Sequence, residues 1–252
     1  MVEIVTAGLL IIGDEILSGR TKDKNIGFIA DYLTAIGIDL REVRVVGDLE
    51  DEIIAALNAL RTKFTYVFTT GGIGPTHDDI TADCIAKAFG VPINQRPDVV
   101  EKFREKFGDE NLTEARLRMT RIPDGARLVQ SELVVAPGFW IGNVIVMAGI
   151  PRIMQSMMDI VAPQLRTGVK MLSETILANA LEGDIGTSLG EIAKAHPDTI
   201  IGSYPFMDED GRPNTNLVVR ARDPALLKAA MDDIKAMLVT SKSEANRLRF
   251  KT

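Results

Sequence analysis

The sequence predicts an α/β protein with a mainly parallel sheet, and three observations support this. Over the first 165 or so residues, short apolar runs alternate with longer segments whose apolar residues recur at helical steps. Several of the apolar runs end in glycine-containing turns, where ligands bind in open parallel sheets. From about residue 170 the pattern becomes strand, helix, strand, strand and helix. We therefore predict an α/β domain over 1–168 and a small α+β domain over 169–252.

In the first domain, the apolar run at 3–12 predicts the first strand. A helix with one buried stripe follows and ends at Gly37, because glycine is typical of helix C-termini. The β-branched and aromatic run 64–70 predicts a buried strand, and the next helix is expected to begin at Asp78 or Asp79. Residues 97–120 contain two charged helical segments, which we interpret as a cap over the sheet or an oligomer contact. The further predicted elements are strands at 38–46 and 143–148, a helix from about Glu50, and a Met-rich helix to about Leu165.

In the second domain, Asp223 and Pro224 have the residue types of an N-cap and a first helical position, so they predict the start of a final helix. The acidic segment 207–214 predicts a hairpin turn. The other predicted elements are strands at 171–178, 199–204 and 215–221 and a helix at 186–195.

Composition excludes several function classes. The formal charge of −6 argues against nucleic acid and anionic membranes as partners. One cysteine and two histidines are too few for a zinc site of soft ligands, so a bound metal is expected to be a hard cation held by carboxylates. The N-terminus has an acid and no basic leader, and no apolar run approaches the ~18 residues of a membrane span. We expect a cytoplasmic enzyme or binding protein that acts on a small molecule.

The segment 69–81, TTGGIGPTHDDIT, carries the strongest functional signal, because it joins a strand end, a glycine turn and a helix start. Glycines let a phosphate approach the backbone, and Thr70 and Thr76 are candidate hydroxyl donors. Asp78 and Asp79 would repel a bare phosphate, so they predict either a bridging divalent cation or simple caps of the next helix. The segment matches neither a P-loop nor a dinucleotide-binding fingerprint.

Other candidate residues follow strand ends elsewhere in the chain. Asp48 follows the second strand and is either part of the site or a helix cap. The turn at 136–140 contains an aromatic pair that either stacks on a flat ligand ring or packs in the core. We also assign Asp14, Glu15, Ser18, Gly19 and Asn25 after the first strand, and Pro137, Gly138 and Phe139 in the turn at 136–140.

The motifs GDEILSG, VVGD, TTGGIGPTHDDIT, APGF and GIP occur in the order of the CinA-type competence/damage-inducible family. The first half of the chain resembles the wider molybdopterin-binding fold of MogA, MoaB and MoeA. This resemblance covers nearly the whole chain and implies a three-layer α/β/α sandwich followed by the small domain of CinA proteins. It also implies a homo-oligomer, a dimer or trimer.

The resemblance implies two alternative activities. The first is divalent-metal-dependent hydrolysis, with Mg, Mn or Co, of a nucleoside-diphosphate-linked molecule such as ADP-ribose or FAD. The second is binding of molybdopterin without hydrolysis. The phosphate-cradling positions of the family fall on Gly71, Gly72, Gly74, Pro75 and Thr76. The catalytic acid of the family falls on Asp79, and the acid after the second strand falls on Asp48. For the hydrolase alternative we expect Asp79, with Asp78 or Asp48, to hold the metal ion and Glu15 to assist catalysis.

The sequence departs from the family pattern in three ways. The segment 147–154 lacks one proline and one acid of the usual motif, which also suggests a regulatory or scaffolding protein without chemistry. The segment Gly13-Asp14-Glu15 is closer to the MoeA form, which favours a pterin ligand. The C-terminal domain that removes an amide from a nicotinamide nucleotide is not found in these 252 residues, so that activity is not expected.

Overall fold

The structure, a computed structural model, describes residues 3–249, with side chains described to residue 240. The chain separates into two compact units, Met1–Gly168 and Val169–Thr252. The terminal residues 1–2 and 250–252 of the two predicted domains lie outside the described residues. None of the helices in the described part combines the length and apolar character that crossing a membrane requires.

The first unit contains eight strands, seven α-helices and two short 3-10 helices within its described residues. The strands are β1 Val5–Ile12, β2 Ile38–Val46, β3 Tyr66–Thr70, β4 Ile93–Gln95, β5 Arg121–Pro123, β6 Arg127–Val129, β7 Gly138–Ile141 and β8 Val144–Met147. The helices are α1 Asp14–Leu17, α2 Asn25–Ala35, α3 Glu50–Arg61, α4 Thr81–Phe89, α5 Pro97–Phe107, α6 Glu114–Arg118 and α7 Pro151–Val161.

The central sheet has the strand order β2-β1-β3-β8-β7-β6. The first four strands are parallel, whereas β7 and β6 pair antiparallel at one edge. A separate antiparallel pair, β4 and β5, lies outside this sheet. The prediction of a mainly parallel α/β fold is therefore confirmed.

Alternating side chains of β1 divide the interior of the first unit into two cores. Leu9 and Ile11 belong to one apolar cluster together with residues of α2 and α7, including the buried Met157. Leu10 and Ile12 belong to a second cluster, which includes residues of α3 and α4. Because successive side chains of a strand point to opposite faces, the helices cover both sides of the sheet and form three layers.

The second unit is a three-stranded antiparallel sheet packed against helices. Its elements are β9 Leu172–Leu177, α8 Glu182–Ala195, β10 Ile200–Met207, β11 Pro213–Ala221 and α9 Pro224–Arg249, with the strand order β10-β11-β9. The Asp223 carboxylate accepts from the amide of Ala225 at 2.7 Å, as predicted for the start of α9. The acidic segment forms the predicted hairpin turn, closed by the Asp208 amide, which donates to the carbonyl of Arg212.

Two predicted helix starts are wrong, and each has a local reason. Helix α8 begins at Glu182, four residues before the predicted start at 186, and the prediction missed this because the first three residues of the helix, 182–184, are exposed and carry no apolar side chain. Helix α4 begins at Thr81 and not at Asp78 or Asp79. The charged segment 97–120 contains two helices as predicted, but α6 spans only five residues.

Replacing Gly71 by alanine should destabilise the first unit. Gly71 has φ +103°, and a Cβ atom there would clash with the carbonyl oxygen of Ile12. We expect a loss of about 2 kcal/mol or more, measured by urea unfolding followed through the fluorescence of Trp140. The matched variant Gly186→Ala lies in the exposed interior of α8, where an added Cβ meets nothing within 4 Å. It should stabilise the second unit by about 0.5–1 kcal/mol, measured by circular dichroism because Trp140 lies in the first unit, and equal losses in both variants would contradict this account.

Candidate functional site

The polar and glycine-rich turns predicted to carry function meet at one edge of the central sheet. Strands β1, β2, β3 and β8 are parallel, so the turns that follow Ile12, Val46, Thr70 and Met147 emerge at the same edge. Hydrogen bonds join these turns directly, since Gly13 N donates to Val46 O at 3.1 Å and Gly71 N to Met147 O at 3.3 Å. This convergence places the candidate site at the carboxyl ends of the strands.

The turn after β3 presents backbone amides. The amides of Gly72, Ile73 and Gly74 donate no hydrogen bond within the described residues. The turn is held from behind by Thr81, whose hydroxyl donates to Gly71 O at 2.9 Å and whose amide donates to Gly72 O at 3.0 Å. Three consecutive unpaired amides ahead of a helix N-terminus form a typical cradle for an anionic oxygen.

The carboxylate of Asp79 closes a turn and does not cap a helix. It accepts from the Thr76 amide at 2.8 Å and from the Thr76 hydroxyl at 2.5 Å, while the Asp79 amide donates back to Thr76 O at 3.3 Å. This turn keeps residues 76–80 out of α4, whose N-cap residue, Ile80, has no side-chain cap. The Thr76 hydroxyl thus donates to Asp79, and Thr70 is 1% exposed. That both hydroxyls donate to a phosphate stays a prediction.

Several of the predicted acids lie around one cavity of about 240 Å³. Asp48 does not cap α3, because its carboxylate accepts from the amide of Asp14 at 2.9 Å. Burial raises the pKa of the Asp48 carboxyl, and the negative charges of Asp14, Glu15 and Asp78 raise it further, against the lowering effect of the Asp14 hydrogen bond. The cavity is lined by Ile12, Gly13, Glu15, Asp48, Gly72, Thr76, Asp78 and Asp79.

Asn25 lies at 4% exposure beside the same edge. Its side-chain nitrogen, Nδ2, donates to Gly149 O at 2.9 Å, and its side-chain oxygen, Oδ1, has no hydrogen-bond partner within the described residues. The carboxylate of Asp23 accepts from the amides of Asn25 and Ile26 at 3.0 and 2.8 Å and so fixes the start of α2. Ser18 and Gly19, by contrast, lie on an exposed turn and do not line the 240 Å³ cavity.

The aromatic pair is largely buried, although Phe139 also lines a narrow crevice with Gly72 and Gly74. Phe139 is 1% exposed and belongs to one core cluster, whereas Trp140 is 7% exposed and belongs to the other. Trp140 is enclosed by an edge-on contact with Tyr66 and by the guanidinium of Arg127, 3.5 Å from its ring centroid. Of the two alternatives for this pair, the burial supports packing in the core, because adjacent residues of β7 point into opposite cores.

Two arginines that the sequence analysis did not single out lie beside the glycine turn. Arg118, at the end of α6, donates through Nε and Nη2 to Asp79 O at 3.3 and 3.2 Å. Arg121 forms a bidentate pair with Asp83 at 3.0 and 2.5 Å. Both arginines line a cavity of about 490 Å³ together with Pro75, Thr76, His77, Gln95, Glu114 and Ala115. Isolated arginines at a helix end and at a strand start are common on protein surfaces, so no sequence signal separated Arg118 and Arg121 from solvent-exposed arginines.

Comparison with known proteins identifies the family to which the first unit belongs. The family described as "Probable molybdopterin binding domain" matches residues 8–167. The chain belongs to this molybdopterin-binding-domain family. The small second unit matches the family described as "FAD synthase, middle domain" over residues 170–246.

Relatives of this molybdopterin-binding-domain protein occur in archaea. A protein of Saccharolobus islandicus strain L.S.2.15 is 34% identical over 82% of this chain and 82% of its own length. A protein of Metallosphaera sedula is 30% identical over 81% of this chain and 84% of its own length.

Among solved structures, the CinA protein of Thermoplasma acidophilum, described as having unknown function, is 33% identical with a TM-score of 0.61. It covers 64% of this chain and 98% of its own length, and it confirms the CinA-type resemblance. MoaB of Thermus thermophilus aligns over 64% of this chain and 92% of its own length, at 17% identity and a TM-score of 0.43.

In the first unit, Asp48→Asn should raise the Tm at pH 7. The raised pKa means that the folded state binds the Asp48 proton more tightly than the unfolded state, so ionisation above about pH 4 costs stability. Asparagine keeps an oxygen for the Asp14 amide and removes the charge. We expect a rise of about 1–2 °C at pH 7, because the carboxylate is partly accessible to solvent, and no rise below about pH 4.

The control is Asp51→Asn in the first turn of α3, where a carboxylate is favourable beside the helix N-terminus. Its Tm at pH 7 should stay unchanged or fall slightly. Differential scanning calorimetry between pH 3.5 and pH 8 measures both variants. A fall in the Tm of Asp48→Asn at pH 7 would show that repulsion among the acids is not the dominant effect.

Proposed function

We propose that the glycine turn binds the phosphate of a phosphorylated small molecule, and that this ligand is molybdopterin or a close pterin relative. The observation that carries the proposal is the set of unpaired amides of Gly72, Ile73 and Gly74 at the carboxyl edge of the sheet. Charge-assisted hydrogen bonds from such amides to a phosphate oxygen are stronger than neutral ones. Membership of the molybdopterin-binding-domain family supports the choice of a pterin ligand.

The surroundings of the turn fit this ligand class. A phosphate on the turn lies close to the acids of the 240 Å³ cavity, so the carboxylates select a ligand that also presents hydrogen-bond donors. The unpartnered side-chain oxygen of Asn25 is a further acceptor, and it lies beside a cavity of about 60 Å³ that includes Gly71 and Gly149. A pterin carries ring and exocyclic N–H groups that such acceptors bind.

Gly72→Ala should weaken molybdopterin binding by about tenfold or more, because the added Cβ would clash with the hydroxyl of Thr81 and displace the turn. The measurement is equilibrium titration of the ligand, followed by the intrinsic fluorescence of the pterin. Gly90→Ala is the matched control, since Gly90 has nearly the same φ, +67° against +66°, and an added Cβ there meets nothing within 4 Å.

Both variants carry the same backbone strain, so their difference in affinity isolates the effect of the turn. Equal affinities of Gly72→Ala and Gly90→Ala would overturn the assignment of this turn. Absence of molybdopterin binding by the unsubstituted chain would overturn the choice of ligand.

A second proposal, hydrolysis of a nucleoside-diphosphate-linked molecule such as ADP-ribose or FAD, is favoured by the position of the carboxylates. Glu15, Asp48, Asp78 and Asp79 line a cavity that also includes Gly72 of the turn. Within the described residues, no three of these side chains form a ready-made metal site. Mg²⁺, Mn²⁺ or Co²⁺ would therefore be held by one or two carboxylates together with ligand phosphate oxygens, the usual arrangement for Mg²⁺.

In this second proposal a bound cation supplies polarisation of the phosphorus centre. The chain itself orients the diphosphate through the glycine turn. Water adds to phosphorus and the bond to the bridging oxygen breaks, so ADP-ribose yields AMP and ribose 5-phosphate. Incubation with ADP-ribose or FAD and each metal should then release AMP, with at least a hundredfold loss in Asp79→Asn and no change in Asp51→Asn. No AMP above the Asp79→Asn level with any metal would exclude this activity.

A further inference from the structure

Strand β10 of the second unit is an edge strand without the charged residues that usually protect a sheet edge. It has eight residues, and none of the side chains at 200–207 is charged. Natural edge strands commonly carry charges or bulges, because their free backbone groups otherwise pair with another strand. The apolar side chains of β10 with the largest exposure are Ile200 at 45%, Tyr204 at 53% and Met207 at 68%. This strand is therefore a candidate surface for pairing with a strand of another molecule.

The backbone groups of β10 that point away from the sheet include those of Ile201 and Ser203. The Ala178 amide donates to Thr215 O at 2.9 Å, so Thr215 directs its carbonyl toward the β9 side of the sheet. Pro205 lies opposite Thr215 in the antiparallel register, and backbone directions alternate along a strand. Pro205, Ser203 and Ile201 therefore direct their backbone groups outward. Because proline has no N–H, a pairing strand must take its donors from Ile201 and Ser203 and leave Pro205 without a demand.

Ile200 and Tyr204 lie on the face of the small sheet opposite α8 and α9. Their neighbour Ile201 packs against the apolar cluster of these helices, and the Ser203 hydroxyl donates to Glu182 of α8. Since side chains alternate along a strand, the even-numbered residues of β10 point to the other face. The Tyr204 ring lies over Gly202, where an added Cβ would be 3.1 Å from the ring. Tyr204 is thus held along the edge of the sheet with about half of its surface free for contact.

A second copy of β10, antiparallel and related by a two-fold axis at Gly202, meets the demands of this edge. Ile201 then lies opposite Ser203 of the second copy, and the two residues exchange both of their backbone hydrogen bonds. Pro205 lies opposite residue 199, which is outside β10, so its missing N–H is not needed. Tyr204 lies opposite Ile200 of the second copy, and such aromatic and β-branched pairs stabilise sheets. The strand is therefore complementary to itself in this register.

Helix α8 leaves room for its copy beside such a strand pair. Gly183, Gly186 and Gly190 lie along one side of α8, and an added Cβ at any of them meets nothing within 4 Å. At 3.6 residues per turn, Glu182 lies between this glycine side and the buried side of the helix. Because Glu182 contacts Ser203 of β10, the glycine side faces the edge of the sheet. Glycines weaken a helix, but here they remove the side chains that would keep two copies of α8 apart.

We propose that the chain forms a dimer through its second unit, in which β10 pairs with β10 of a second copy about Gly202 and the first turns of the two α8 helices meet. Two three-stranded sheets then become one continuous sheet. The paired strands place no charged side chains opposite each other. Glu182 of each copy approaches the axis, but its carboxylate already accepts from Ser203, and salt screens the repulsion that is left. This interface is independent of the proposed phosphate site.

The dimer should be weak and reversible. One strand pair with one helix crossing is small beside the roughly 800 Å² per partner of a standard interface, so we expect a dissociation constant of about 1–100 µM. The association therefore depends on protein concentration, which makes it measurable.

The test is sedimentation velocity of the full chain at a series of protein concentrations. Tyr204→Lys places a charge against the apolar Ile200 of the second copy and should raise the dissociation constant by about tenfold or more. At high concentration the unsubstituted chain should then have twice the mass of this variant. The matched control is Leu177→Lys, since Leu177 is 44% exposed on the same face but lies in β9, and it should leave the dissociation constant unchanged. Contacts through the first unit are the same in both variants and cancel in the comparison.

Two further variants test the geometry of the pairing. Gly186→Gln adds a side chain where the two helices meet, so it should raise the dissociation constant by about tenfold, although the higher helix propensity of glutamine keeps the second unit at least as stable by circular dichroism. Gly202→Cys should form a disulfide-linked dimer on mild oxidation, because the two copies of residue 202 face each other across the axis. Leu177→Cys is its control and should stay unlinked, and the native Cys84 is buried.

Three results would overturn the proposal. Equal masses of the unsubstituted chain and Tyr204→Lys at every concentration would exclude a second copy as the occupant of β10 and leave this edge to an extended peptide of another protein. Equal effects of Tyr204→Lys and Leu177→Lys would show that the loss is not specific to β10. A dimer in which Gly202→Cys forms no disulfide would exclude pairing about Gly202. Circular dichroism of each variant checks that the fold is retained.

Discussion

Close packing of three strand ends is the constraint on which the candidate site depends. At Gly71 there is no room for a Cβ, because the carbonyl oxygen of Ile12 occupies that space. Gly149 in turn lies so close to Gly71 that an added Cβ would be 3.3 Å from its Cα. Asn25 ties this contact to helix α2 through its hydrogen bond to the carbonyl of Gly149. The ends of β1, β3 and β8 can approach this closely only because glycines occupy positions 71 and 149. The amides of Gly72, Ile73 and Gly74, which are unpaired within the described residues, come immediately after this contact in the chain.

Asp79 forms hydrogen bonds both to the glycine turn segment and to an arginine beside it. Its carboxylate holds the Thr76 amide and hydroxyl, and its carbonyl accepts from Arg118. Carboxylates therefore line the 240 Å³ cavity on one side of the glycine turn, whereas on the other side arginines and carboxylates are mixed, within a chain whose formal charge is −6. Net charge describes long-range attraction to polyanions, whereas the local arrangement of donors decides whether a small anion binds. The negative formal charge of the chain therefore does not conflict with the proposed anion binding by the turn.

Much of the fold and part of the site could be predicted from local patterns. The apolar runs and the glycine turn at 71–74 placed the strand ends correctly, because a buried parallel strand and a tight turn each demand particular residue types. The start of α4 could not be predicted, because Asp79 has the residue type of a helix cap and instead bonds backwards to Thr76. Phe139 has the residue type of a stacking ring, and only its place in the sheet showed that it is buried.

The sequence by itself determined the α/β class, the order of most elements and the turns that emerge at the carboxyl edge, because these follow from the spacing of apolar residues and from glycine. The tertiary structure alone decided which polar residues share a cavity. Asp14 and Asp48 are 34 positions apart and Asp79 and Arg118 are 39 apart, yet each pair is in direct contact. Such contacts depend on how strands from distant parts of the chain pair in one sheet, and no local pattern records that pairing.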